Sequence, residues 1–144
     1  TDHPTGAISS DACTSTLVSV GAGTSTFDFL SRFSTDLSCG ETGPIKMDGM
    51  KVFNFVATEV SKFLRGFGTD VDWFAPHQAN PYMVRQLAKS LGLSDRLLTI
   101  PEDRKNPGSC SVPMAIAESG KKGRVLIAGF GAGYSASAGI VRVG

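Results

Sequence analysis

Apolar residues recur along the chain with two different periods, and the change of period separates predicted strands from predicted helices. Alternating small, β-branched and apolar residues over 6–20 and 24–33 predict two neighbouring strands, joined by a glycine turn at 21–23. The segment 34–46 has no period, and its Ser, Gly, Thr and Pro residues predict a loop. Over 49–65 the apolar residues recur at helical spacing, which predicts the longest helix with one buried stripe.

The middle of the chain predicts a strand followed by a capped helix. The short apolar run 71–75 is typical of a buried strand. Asn80 followed by Pro81 predicts a helix start, because the asparagine side chain can cap the helix and proline lacks an N–H that would go unbonded there. Gly92 supplies the helix stop, and 97–100 predicts a further short strand.

The last third of the chain predicts one helix and two strands. Small and apolar residues over 109–119 predict a short packed helix, which tolerates Pro113 only within its first turn. Strands are predicted over 124–128 and 134–143, around the glycine-rich turn 129–133. Strands and helices in this order predict a layered α/β domain.

The composition is that of an ordinary globular protein. With 144 residues, of which 41% are hydrophobic and 19% charged, the chain suffices for one domain with a real core. The net charge of +1 shows no overall basic footprint, so we expect no nucleic-acid partner. An apolar run of transmembrane length and a secretory signal are both missing from the sequence, so we expect a cytoplasmic protein without a membrane partner.

The cysteines do not indicate a disulfide framework or a metal site. Cys13, Cys39 and Cys110 are odd in number and form neither a CxxC motif nor a cluster with histidine. We interpret them as reduced thiols and expect no bound metal.

His77 is the first candidate for chemistry, because it follows the predicted strand 71–75 and precedes the capped helix. Such strand ends are where α/β proteins usually place their sites. The amide of Asn106, in a loop of small residues, can donate a hydrogen bond to a carbonyl oxygen, and the turn 129–133 can offer a backbone amide to an oxyanion. The alternatives are a satisfied buried histidine, a plain Asn-Pro turn and a tight hairpin.

Several motifs also occur together in the order typical of one enzyme family. They are His77-Gln78-Ala79-Asn80 after Asp72-Trp73-Phe74, the Asn106 loop ending in Ser111-Val112-Pro113, the run Gly129-Phe130-Gly131-Ala132-Gly133, Met47-Asp48-Gly49 before Val52-Phe53, and Ser10-Asp11-Ala12. With them the chain resembles the carboxyl-terminal half of β-ketoacyl-acyl carrier protein synthase III over nearly its whole length. The resemblance implies a thiolase-like fold, of which residues 1–144 form the second half, a layered α/β unit with a mixed sheet of about five strands.

The resemblance also implies a decarboxylative condensation. In that family a cysteine of the amino-terminal half accepts an acyl group from coenzyme A, and the acyl group condenses with a malonyl thioester. By resemblance, His77 and Asn106 donate hydrogen bonds to the malonyl thioester carbonyl, and the backbone amide of Ala132 contributes to the oxyanion hole. Thioesters of coenzyme A or acyl carrier protein are the implied substrates, and no resident cofactor is implied.

Further positions correspond to the family's substrate channel and partners. The implied substrate-binding residues are Gly49, Phe53, Ala79, Asn80 and Phe130. For the two phenylalanines, plain core packing is the alternative. The implied partners are the amino-terminal half of the same polypeptide, a second copy in a full-length homodimer, and an acyl carrier protein.

The chain departs from the family pattern at the nucleophile and at the carrier-docking position. We interpret all three cysteines as non-catalytic, so the chain alone is expected to be inactive. Tyr82 stands where well-studied members carry a carrier-docking arginine. A substitute basic face, or only a solvated surface, would be formed by Arg85, Lys89, Arg96, Arg104 and Lys105. Pro107-Gly108 in place of Thr-Ser, and Ser137 in place of glycine, suggest a divergent member from secondary metabolism.

Three other functions stay open at this point. An acyltransferase of the same fold would use His77 as general base to form esters or amides without decarboxylation. A non-catalytic half would serve as a heterodimer partner through an apolar face that needs cover. A cysteine hydrolase would pair Cys110 with His77.

Overall fold

A mixed four-stranded sheet forms the centre of the computed structural model, which describes residues 26–38 and 46–144. Its strands are β1 (Thr26–Ser31), β4 (Trp73–Pro76), β5 (Gly123–Gly131) and β6 (Ser135–Val143), in the order β1-β6-β5-β4. β4 pairs parallel with β5, whereas β6 pairs antiparallel with β5 and β1. The short strands β2 (Leu37–Ser38) and β3 (Lys46–Met47) pair separately from this sheet.

The helices lie on both faces of the sheet. They are α1 (Gly49–Phe55), a π-helical turn (Val56–Val60), α2 (Ser61–Arg65), α3 (Pro81–Leu91) and α4 (Ser111–Ser119). Short 3₁₀ turns occur at Ser94–Arg96, Glu102–Arg104 and Gly108–Cys110. Among the described residues, none of the helices has both the length and the apolar character needed to traverse a bilayer.

Two hydrophobic clusters hold these layers together. The larger cluster joins the run from α1 to α2, and α3, to one sheet face, and the smaller one joins α4 to the other face. Successive residues of β4 take part in different clusters, since Phe74 belongs to the larger and Ala75 to the smaller. Both side chains have no exposed surface. β4 is therefore buried on both faces, as strands of parallel pairs usually are.

Most predicted elements are confirmed. The helix over 49–65 is present, although its middle adopts a π-helical turn that the apolar spacing does not reveal. Pro113 is the third residue of α4, in the first turn. The strands predicted at 71–75 and 124–128 are present as β4 and β5, and Gly92 ends α3 with a φ of 70°.

The strand predicted at 97–100 is wrong. Only Leu97 forms a bridge, to Phe74, because a 3₁₀ turn precedes it and Pro101, which starts another 3₁₀ turn, follows. The loop predicted over 34–46 contains the two-residue strands β2 and β3. The strand predicted at 6–20 lies outside the described residues, as do Cys13, Cys39, the Ser10-Asp11-Ala12 motif and the glycine turn.

The cap of α3 yields a stability prediction. Asn80 Oδ1 accepts hydrogen bonds from the backbone N–H groups of Tyr82 at 2.9 Å and Met83 at 3.2 Å. Asn80→Ala removes this acceptor and should lower the free energy of unfolding by about 1 kcal/mol, whereas Asn80→Asp keeps it and should stay close to the native value. Denaturant unfolding of the three proteins measures both changes. An equal loss in the two variants would contradict a capping role.

Candidate active site

His77 lies at the carboxyl end of β4, held in place by its own backbone. Its N–H donates to the carbonyl oxygen of Ala128 in β5 at 2.6 Å, which continues the β4–β5 pairing by one residue. The ring is half-buried. The next residue, Gln78, is buried and donates from Nε2 to the carbonyls of Pro76 at 2.7 Å and Leu98 at 3.3 Å. The backbone around His77 is thus held by hydrogen bonds that do not involve the imidazole ring.

The imidazole ring contacts a buried serine of α4. Nδ1 of His77 lies 2.8 Å from Oγ of Ser111, and the backbone N–H of Gln78 donates to the same Oγ at 3.2 Å. Ser111 is the first residue of α4 and has 0% of its surface exposed. The sequence had indicated Ser111 only as part of a family motif, and no local pattern links it to His77. Its contact with the ring depends on how α4 packs against β4.

The surroundings of the ring favour its neutral form. Burial lowers the pKa of His77 below its ordinary value of 6.5, and a backbone hydrogen bond with Gly108 opposes this shift more weakly. Phe130 packs edge-on against the ring, with centroids 5.5 Å apart and planes at 73°. An apolar neighbour disfavours the charged imidazolium. A neutral histidine can donate one hydrogen bond and accept another, which suits the stabilisation of a developing oxyanion.

An open groove of about 730 Å³ lies beside His77. Its walls come from β1, the turn before α4, the end of β5 and the start of β6. Small residues supply much of the lining, including Gly108, Gly129, Gly131 and Ser135. The volume is in the range of ligand pockets, and small side chains let a ligand approach the backbone closely.

Asn106 lies close to the groove in sequence but does not line it. Its Oδ1 accepts a hydrogen bond from the backbone N–H of Gly108 at 3.0 Å, and Gly108 does line the groove. The preceding residue, Lys105, has a φ of 55°, the single positive φ of a non-glycine residue in the described chain. With its oxygen engaged by Gly108, the Asn106 side chain still has its amide N–H groups to donate.

Ala132 occupies an exposed turn between β5 and β6. Two hydrogen bonds tie this turn to the segment after β1, from Arg32 N–H to the Tyr134 carbonyl at 2.8 Å and from Ser34 N–H to the Gly133 carbonyl at 2.9 Å. The hairpin predicted around the glycine-rich run is confirmed, although the turn is shorter than the predicted 129–133, because β5 stays paired with β6 as far as Gly131. Ala132 itself is not on the groove wall, although the adjacent Gly131 is.

The remaining predicted substrate-binding residues lie apart from the His77 groove, except for Phe130. Ala79 and Asn80 line a separate pocket of about 230 Å³. Phe53 is half-buried and stacks with Tyr82 at 5.9 Å between ring centroids. This position is compatible both with core packing and with a place in a channel wall. Gly49 is exposed, with open space where a Cβ would lie. The described residues therefore gather only part of the predicted site into one groove.

The candidate basic face is largely engaged in other contacts. Arg85 forms an ion pair with Glu102 at 3.2 Å, and Arg104 one with Glu118 at 3.8 Å. Arg96 donates to backbone carbonyls before β4. Within residues 26–38 and 46–144, no group of three His, Cys, Asp or Glu side chains is placed to hold a metal ion.

Comparison with known proteins identifies the family. Residues 68–143 match the family model described as 3-Oxoacyl-[acyl-carrier-protein (ACP)] synthase III C terminal, which covers more than half of the chain. The chain belongs to the 3-oxoacyl-acyl carrier protein synthase III family. β4, the His77 segment, the Asn106 loop and the terminal hairpin all lie within the matched residues.

Relatives in this family are longer than the chain. The β-ketoacyl-acyl carrier protein synthase III of Sphingopyxis alaskensis is 32% identical over 118 residues, 72% of this chain and 37% of that protein. The crystal structure of 3-oxoacyl-acyl carrier protein synthase III from Pseudomonas aeruginosa matches with a TM-score of 0.71 at 26% identity, covering 81% of this chain and 43% of that one. The priming β-ketosynthase of the R1128 polyketide pathway matches with a TM-score of 0.62 at 28% identity, over 69% and 34%. The fold is therefore thiolase-like, and the chain spans less than half the length of these synthase III relatives.

The pKa of His77 predicts a dependence of stability on pH. Because burial lowers the pKa of His77 in the folded state, the unfolded chain takes up a proton first as the pH falls below 6.5. The free energy of unfolding should thus fall as the pH drops through 6.5, and fall less in His77→Gln. Denaturant unfolding of the full polypeptide that carries this chain measures this difference, and a proton NMR titration gives the midpoint. A midpoint at or above 6.5 would contradict the burial argument.

Proposed function

We propose that the chain supplies the carboxyl-terminal catalytic half of a decarboxylative condensing enzyme, which joins an acyl group from acyl-coenzyme A to a malonyl thioester. The observation that carries the proposal is the position of His77 at the end of β4, where burial lowers its pKa, beside a groove of ligand size in a chain of this family. His77, Asn106 and Ala132 are the residues to which we assign roles.

The proposed reaction has two stages. First, the acyl group moves from coenzyme A to a cysteine thiol of the amino-terminal half, and the coenzyme A thiol leaves. Next, the malonyl thioester loses carbon dioxide, and the resulting enolate carbon attacks the acyl thioester carbon. The cysteine thiolate leaves, and a β-ketoacyl thioester is the product. Thioesters are the only reactants, so we propose no resident cofactor.

Hydrogen-bond donors aimed at the thioester oxygen would carry the second stage. Decarboxylation places enolate charge on that oxygen, where we assign N–H donors from His77 and Asn106. Each preorganised donor of this kind contributes about 3 to 4 kcal/mol of transition-state stabilisation in other enzymes. The lowered pKa of His77 supports this role, because it keeps the ring neutral near pH 7 while leaving one ring N–H to donate. The amide of Ala132 would hold the oxyanion formed when the cysteine thioester is attacked.

An exposed apolar face supports the amino-terminal half as partner. Phe27 and Phe29 of the edge strand β1 are 62% and 76% exposed. Together with Val112 and Ile127 they line an open groove of about 460 Å³ on the sheet. Contiguous apolar surface of this kind marks an interaction site. We propose that the amino-terminal half covers this face and brings the nucleophile, so that the chain is inactive alone.

Two further partners belong to the same proposal. We expect a homodimer in the full-length protein, as the resemblance implies, and an acyl carrier protein as a candidate thioester carrier. The ion pairs of Arg85 and Arg104 leave fewer unpaired cations for an acidic carrier, so docking would rely on Lys89 and Lys105, which are both exposed.

Loss of either proposed donor should slow the second stage of the reaction and leave the first stage unchanged. In the full-length enzyme, His77→Ala and Asn106→Ala should each slow carbon dioxide release by about 10² to 10³-fold, while acylation of the nucleophile continues. Labelled carbon dioxide measures the decarboxylation of the second stage, and intact-protein mass spectrometry measures the acyl-enzyme formed in the first stage. Lys62→Ala, an exposed change on α2, is the control.

Two outcomes of this experiment would overturn the proposal. Carbon dioxide release at the native rate in both variants would remove the assigned roles. Ester or amide products that form without malonate consumption would show simple acyl transfer by the same fold, with His77 as general base.

The apolar face yields a test of the partner. The chain expressed alone should self-associate, and Phe29→Lys should reduce this, as measured by size-exclusion chromatography with light scattering. Met50→Lys is the matched control, because Met50 is 71% exposed but lies on α1, outside the groove that Phe27 and Phe29 line. Co-expression with the amino-terminal half should give a complex that Phe29→Lys weakens. The proposal would be contradicted if the unaltered chain were a monodisperse monomer and formed no complex with the amino-terminal half.

A further inference from the structure

Ser111 is a buried hydroxyl with two neighbours, and the proposed function assigns it no role. Its Oγ lies 2.8 Å from Nδ1 of His77 and accepts a hydrogen bond from the Gln78 N–H at 3.2 Å. The residue lines the groove, yet it has 0% exposed surface. These contacts restrict where the protons of the serine and the histidine can be.

Counting donors and acceptors assigns the proton on the ring. A backbone N–H can only donate, so Oγ must accept from Gln78, and its own O–H remains to be placed. Pointing that O–H at Nδ1 satisfies both groups. If Nδ1 carried the ring proton instead, Oγ would accept two hydrogen bonds while its O–H had no acceptor among the hydrogen bonds of the described chain. An unpaired buried donor is unfavourable, so Nδ1 accepts and Nε2 carries the proton.

The packing of α4 makes this arrangement rigid. Ser111 begins α4, and Ala115, one turn later, packs in the same cluster as Ala75 of β4. His77 follows β4 directly, and its own N–H is bonded to β5. The serine and the histidine are therefore held by elements that pack against each other, and neither depends on a mobile loop for its position.

We infer that Ser111 is a positioning residue that holds neutral His77 in the tautomer with the proton on Nε2, so that the ring presents a donor, and not a lone pair, to its ligand. Nε2 is the ring nitrogen not engaged by Ser111, so the backbone hydrogen bond with Gly108, which favours a protonated ring nitrogen, falls to Nε2–H until a ligand accepts from it. A thioester carbonyl can only accept, so this tautomer is the one that can bind it. The inference rests on the proposed function for its chemical purpose, but the tautomer itself is a property of the protein alone.

Nitrogen-15 NMR of the histidine ring tests the inference on the full-length enzyme at a pH where the ring is neutral. In the native protein, Nδ1 of His77 should have the shift of an unprotonated nitrogen and Nε2 that of a protonated one. Ser111→Ala should move the two shifts toward each other, because the bias on the tautomer is lost. Ser111→Thr keeps the hydroxyl and should restore the native pattern. A protonated Nδ1 in the native protein would overturn the inference without any variant.

The rate of carbon dioxide release gives the second readout. Ser111→Ala should lower kcat by about tenfold with little change in KM, since the ring would donate to the enolate in only part of the molecules. Ser119→Ala, a serine change at the other end of α4, is the control for both readouts. Native ring shifts and a native rate in Ser111→Ala would overturn the inference. If the shifts respond as expected but the native enzyme itself releases no carbon dioxide, the tautomer assignment stands and the proposed function fails.

Discussion

The parallel pairing of β4 with β5 is the contact on which the candidate site depends. Pro76 lies opposite Ala128, and the N–H of His77 then bonds to the Ala128 carbonyl. This register places His77 beside the next residues of β5, which is why Phe130 contacts the ring edge-on. A shift of one residue would turn the side chains of β4 to opposite faces, so that Phe74 and Ala75 would each leave their hydrophobic cluster. Burial of Phe74 and Ala75 on the two faces therefore also fixes the position of the histidine.

The four residues that follow β4 divide structural and chemical tasks among themselves. His77 faces the groove, whereas Gln78 is buried and bonds to the carbonyls of Pro76 and Leu98. Ala79 is half-buried, and Asn80 caps α3 through two backbone N–H groups. Half of this short motif thus stabilises the backbone around the histidine. In this four-residue motif, Gln78 and Asn80 therefore have structural tasks, and His77 is the residue that faces the groove.

Local signals in the sequence were enough to predict the main elements and the position of the central histidine. The Asn80-Pro81 start, the stop at Gly92 and the placement of Pro113 each depend on neighbouring residues alone, and the structure confirms all three. The π-helical turn at Val56–Val60 and the failure of the strand at 97–100 depend on packing, which spacing does not encode.

The site itself was harder to predict, because its contacts join distant segments. Ser111 meets His77 across 34 positions of sequence, and no periodicity links the two. The resemblance to a family supplied the pairing of His77 with Asn106, but the described residues bring only Phe130 of the predicted channel into the groove. Of the other predicted channel residues, Gly49 and Phe53 lie on α1, whereas Ala79 and Asn80 precede α3.

The pairing of β1 with β6 has a consequence for how the site is assembled. Thr26 lies opposite Ile140 and Ser31 opposite Ser135, so the first described strand pairs with the last one. The entropy of closing so long a loop is a cost that this pairing must offset. The turn with Ala132 connects β5 to β6 and is tied to the residues after β1. The groove therefore depends on both ends of the described chain, whereas the backbone of His77 is positioned by the pairing of β4 with β5.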